Sequence, residues 1–131
     1  MSLDVPTAMI NAAELGEIDD AAFVAVVRDS LPYAWQVVSA AVGDLVVEPR
    51  AEYAEHAVPP PYEAARGQLL RALASDSIRG ALERHFGVRL AFQNCCTTRA
   101  YKSEAVGGAS YREFTSPRAQ VLNQTPELRD C

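Results

Sequence analysis

Nowhere among its 131 residues does the chain set cysteine or histidine at CxxC, HxxxH or HExxH spacing. Those spacings bring thiolates or imidazoles to one turn or one helix face, so the sequence offers no metal site and implies no cofactor. Its three cysteines, Cys95, Cys96 and Cys131, are an odd number, and the opening MSLDVPTAMINAAELGE has neither a basic segment nor an apolar run of export length. A disulfide framework is therefore not expected, and the chain reads as a cytoplasmic protein with free thiols. Long hydrophobic runs are missing too: the most apolar region, 21–47, is interrupted by Arg28, Asp29, Pro32 and Gln36, which excludes a membrane span. Lysine occurs once, at Lys102, against eleven arginines, a bias that reads as the codon usage of a GC-rich genome. No basic run occurs and the isoelectric point is near 5.0, which argues against nucleic acid as a partner.

What is present is enough for one core. Apolar residues make up 49% and charged residues 22% of the chain, the composition of an ordinary globular protein, and the length suits a single domain over 1–131. Charge is unevenly placed. Residues 1–63 carry eleven acids and two bases, net −9, and residues 64–131 six acids and ten bases, net +4, which together make the −5 of the whole chain. Either the halves face each other or are simply solvated, or the second half offers arginines to an anion.

The periodicity predicts a mainly helical α+β fold, with three to four helices packed around a long helix over 61–86 and a small antiparallel sheet starting near 88. A short helix over 5–15 is outlined by Asp4 as cap and Gly16 as stop. Asp19 opens a second segment, in which Phe23, Val27, Leu31, Trp35, Val38, Val42 and Leu45 recur at three- and four-residue steps. Pro32 must kink it or split it near 20–30 and 32–46, with Ser30 as a candidate cap. The stretch 48–61, EPRAEYAEHAVPPP, has four prolines and no period, and reads as an exposed connector. Gly87 stops the long helix. Gly67 and Gly80 lie inside it, each costing about 1 kcal/mol relative to alanine, so the close approach of another helix or of Trp35 is expected there. VRLAFQ (88–93) alternates as a strand, continued or paired by 97–102, and a last helix follows Gly107–Gly108, kinked or restarted at Ser116–Pro117.

The strings RGQLLRALASDSIRGALERHFGVRLAFQNC (66–95) and VLNQTPELRDC (121–131), with the opening MSLDV, resemble a family of small actinobacterial proteins of about this length that end in LNQxPELRDC. The resemblance covers over half the chain and implies a cytoplasmic actinobacterial protein, without naming an activity. The stretch Cys96 to Tyr111 is least like that pattern, so a divergent role, such as one in specialised metabolism, would be written there.

Candidate chemistry is dispersed. Arg66, Arg79, Arg99, Lys102 and Arg112 could converge on a small anionic molecule, since guanidinium forks match carboxylate and phosphate oxygens. His85, near the end of the long helix, Tyr101 and Cys95 are the candidates for proton transfer or nucleophilic attack. Two functions follow. One is an accessory or binding protein that dimerises, as a homodimer or with a related subunit, through the over-apolar second segment with Val27, Trp35, Val38 and Val42 as anchors. The other is a small enzyme, or the small subunit of a biosynthetic one, that acts on an anionic metabolite. An enclosed pocket holding at least two of the five cations beside a titratable group would favour the enzyme.

Overall fold

Residues that cannot sit inside a helix punctuate the N-terminal half. In the computed structural model, which describes residues 2–93 and 96–122, α1 (Thr7–Glu14) stops before Gly16, whose φ of 72° is a conformation that glycine adopts without the Cβ clash. α2 (Asp20–Ser30) opens on Asp19, whose carboxylate accepts from the Ala22 N–H at 3.1 Å. It ends before Pro32, which begins α3 (Pro32–Val47), because proline lacks the N–H that a helix interior needs but is preorganised for a first turn. The apolar segment is therefore split rather than kinked. Asp4 and Ser30 do not cap helices. They bind each other, the Asp4 N–H donating to Ser30 Oγ at 2.9 Å, and this contact ties the start of the chain to the end of α2.

The single helix expected over 61–86 is two helices, α4 (Glu63–Leu73) and α5 (Asp76–Phe86). The apolar stripe runs through the break and so conceals it. Ser75 causes the break: its hydroxyl accepts from the Ile78 N–H, giving the backbone a local alternative to the helical ladder. Arg79 then locks the corner, donating through Nη1 to the Leu73 carbonyl at 2.9 Å and through Nη2 to Asp76 at 2.6 Å. α5 ends on Gly87 at φ 68°, as its position implies. A side chain from α4 also supplies the cap that α3 lacks, since Gln68 Oε1 accepts from the Tyr33 and Ala34 N–H groups at 2.6 and 3.3 Å. At Gly80 no close approach occurs: an added Cβ would meet only the tip of Arg84, at 3.4 Å.

A strand lies where the connector was expected. β1 (Tyr53–His56), β2 (Val88–Gln93) and β3 (Thr97–Lys102) form an antiparallel sheet in the order β1-β3-β2. β1 is four residues long, too short for its alternation to register, and only pairing with β3 (Tyr53 opposite Tyr101, His56 opposite Thr98) makes it a strand. Alternation gives the sheet two unlike faces. Leu90, Ala100 and Ala54 join α2, α3, α4 and α5 in the larger core. Tyr53, Ala91 and Tyr101 lie on the other face, beneath α6 (Ala109–Phe114), with α7 (Pro117–Leu122) following after Ser116.

This arrangement covers most of the large apolar side chains of the segment expected to require a second subunit, while Val46 and Val47 at its end stay 72% and 77% exposed. Val27 and Val38 are fully buried, and Trp35 and Val42 pack at the margin of the same cluster. α3 lies across β1 and β3, so the sheet provides one wall of that segment. Trp35 is covered in part by His85 and Phe86, with ring centres 5.5 and 5.1 Å away.

Two substitutions test these assignments in opposite directions. Gly80→Ala should raise stability by about 1 kcal/mol, because the cost of glycine in the helix is removed and no neighbour is displaced. Gln68→Ala should lower it by about 1 kcal/mol, because two N–H groups at the start of α3 lose their acceptor. Urea unfolding followed by circular dichroism measures both.

Candidate binding grooves

The structure holds the expected anion-binding residues apart. Arg99 lies on the sheet face under α6, its guanidinium 4.2 Å above the Tyr53 ring and 4.1 Å from the Phe114 ring. It donates to Glu55 at 2.7 Å and to the Tyr101 hydroxyl at 3.0 Å. Arg79 is engaged at the α4–α5 corner. Arg66 pairs with Glu63 at 3.1 Å, and Lys102 donates to the Pro49 carbonyl at 2.6 Å. Arg112 is exposed on α6 and has no ion pair among the described residues. Of the three candidates for chemistry, Tyr101 is completely buried with its hydroxyl bonded to Arg99, and His85 is an exposed ring set edge-on to Phe86 and tilted against Trp35. Cys95 lies outside the described residues.

Two grooves dominate the surface. One, of about 620 Å³, runs between α5 and the free edge of β2 and is closed on its far side by α6 and α7. Arg79 alone of the expected cations lines it, together with Glu83, Arg89, Gln93 and Tyr111. These groups brace the groove internally. Glu83 accepts from the Leu90 N–H at 2.8 Å, on the edge that β3 leaves free, and faces Arg89 Nε at 3.5 Å. A hydrogen bond to Tyr111, then the charges of Tyr111 and Glu83, raise the Arg89 pKa against slight desolvation. The Gln93 amide donates to the Phe114 carbonyl. A carboxylate on the edge N–H also guards the strand against pairing with another chain.

The second groove, of about 660 Å³, is apolar and lies beneath α1, against α2 and α5. Met9, Ile10 and Ala13 form one wall, and Ile18 and Phe23 contribute the other apolar side chains. Arg84 of α5 spans one end to Asp20 of α2 with a two-pronged ion pair of 2.6 and 3.0 Å. The hydrogen bond from Arg84 holds the Asp20 carboxyl below its ordinary value, opposed by a little desolvation and aided by the guanidinium charge. The three-to-four-residue spacing of Val5, Met9, Ile10 and Ala13 was legible in the sequence. Nothing in the sequence marks that stripe as uncovered.

Thr98 Oγ1 and His56 Nδ1, on residues opposite each other in register, are buried with no hydrogen-bond partner among the described residues, as is Arg66 Nε. Burial first, then the neighbouring Cys96 and Tyr62, pushes the Tyr33 phenol above its usual 10.0. No group of three or more metal-ligating side chains occurs among the described residues, and none of their helices is long and apolar enough to cross a membrane.

These features define a small α+β protein in which helices cover both faces of a three-stranded sheet, with one internally braced groove and one open apolar groove. The chain belongs to the family described as NucS shadow ORF, whose model matches residues 1–131. No match was found among curated proteins or solved structures.

Thr98→Val should stabilise the protein by about 1 kcal/mol, since it removes a buried hydroxyl with no partner and keeps the branched shape. The same unfolding assay measures it, and a loss of stability would mean that a partner satisfies the hydroxyl.

Proposed function

We propose that the chain is a binding module, an accessory subunit that works by holding a partner chain and carries out no reaction of its own. The observation that carries this reading is α1 itself. It is eight residues long, has no fully buried side chain and stands over an open apolar groove. A helix of that length is marginal in water without tertiary packing, so its apolar wall is accounted for if another chain completes it. Ile10 and Ile18, on this groove, are 47% and 42% exposed, and the neighbouring Leu15 is 73% exposed. The enzyme reading has less support. It needs two or more of the expected cations in one pocket, and each described groove that contains any of them contains one: Arg79 in the braced groove and Lys102 in a separate cleft of about 210 Å³.

A neutral apolar dye tests the groove. Nile red should brighten on binding the protein, and Ile10→Asp should remove most of that signal while leaving the circular dichroism spectrum and melting temperature unchanged, because Ile10 supports no core contact. An unaltered dye signal in the variant would remove the basis for this reading.

A further inference from the structure

We infer that the occupant of the groove beneath α1 is an amphipathic helix of a different protein, with an apolar stripe facing Met9, Ile10, Ile18 and Phe23 and basic residues along its flanks. The inference rests on the binding-module reading and adds the chemistry of the partner. Backbone satisfaction selects the helix. The groove is bounded by α1, α2 and α5, and its walls present no free strand edge. An extended segment laid there would lose water from its N–H and C=O groups and find no partners, whereas a helix satisfies its own. A small polar ligand is a poorer fit, because such sites orient their ligands with a few convergent polar groups. The one cation among the lining residues, Arg84, is already held by both oxygens of Asp20.

Charge selects the partner. The first twenty residues contain five acids, Asp4, Glu14, Glu17, Asp19 and Asp20, and no base, and all five are exposed. Of these, Glu14 and Asp20 line the groove, Asp20 being paired with Arg84, and the acidic N-terminal stretch disfavours both an anionic membrane surface and a second copy of the same face while attracting arginine or lysine on the flanks of an incoming helix.

Two synthetic helices of about four turns test the inference. They share leucines at i, i+3, i+4 and i+7 and differ only in flanks of arginine or glutamate. Binding is read by anisotropy of a fluorescent label on the full-length chain's peptide partner. The arginine-flanked peptide should bind at least about tenfold tighter than its glutamate twin, weaken as salt is raised, and lose affinity for the Ile10→Asp protein. Amide exchange of α1 should slow on binding, because a helix with no fully buried side chain gains cover. Equal affinity for the two peptides, or unchanged affinity for Ile10→Asp, overturns the inference. If Nile red still reports the groove while neither peptide binds, the helical occupant is wrong and the groove stands; if dye and peptide both fail, the binding-module reading falls with it. A concentration-dependent dimer in light scattering that Ile10→Asp abolishes also overturns the inference, by assigning the groove to a second copy of the chain.

Discussion

The structure depends on α3 lying flat across β1 and β3. Ala54 and Ala100 present small side chains toward it, so Val37, Val38, Ala41 and Leu45 reach the sheet and are buried there. Close packing of this kind leaves little freedom for the elements around it. α4 is held in place by Gln68 at the start of α3, α5 is fixed to α4 at the Arg79 corner, and Gly87 then turns the chain directly into β2. Loss of the α3 contact would leave β1, only four residues long, with nothing but its pairing to β3.

The arginines illustrate how fold and function compete for the same side chains. Arginine offers several N–H donors on a rigid plane, and here the donors are turned inward. Arg99 is sandwiched between two rings and bonded to Glu55 and Tyr101. Arg84 joins α5 to α2 through Asp20. The excess of bases in the second half of the chain thus serves partly to join it to the acidic first half. Exposed pairs such as Arg118 with Glu113 contribute little to stability, since water screens both charges. What remains unbalanced is the acidic surface around α1.

α1 departs from the order seen elsewhere. Every other helix of the described chain buries at least one side chain, whereas α1 has none fully buried and is tethered through Asp4 to Ser30 and by Leu3 against the core. An element that is well formed but unsupported is where a binding protein can place its affinity, since the apolar area left open there is covered only in a complex.

Several elements were determined by local chemistry and could be read without coordinates: Asp19 as the cap of α2, an interruption at Pro32, the stops at Gly16 and Gly87, the strand at 88–93, and the α+β class. Each depends on φ preference, a cap or a period within a few residues of chain. Others were decided only by residues distant in sequence. β1 exists because β3 pairs with it, α3 is capped from α4, α3 packs across the sheet while α2 packs on α5, and the break at Ser75 was hidden by a stripe that continues across it. The candidate site divides in the same way. The apolar spacing of α1 and the acidity around it are properties of the sequence, but whether a stripe is covered depends on which surfaces the rest of the chain brings against it. For the five cations the sequence could supply the charge and not the convergence, because a cation's partner is chosen by tertiary proximity, and for Arg66, Arg79, Arg99 and Lys102 those partners are carboxylates, carbonyls, a hydroxyl and rings of the chain itself.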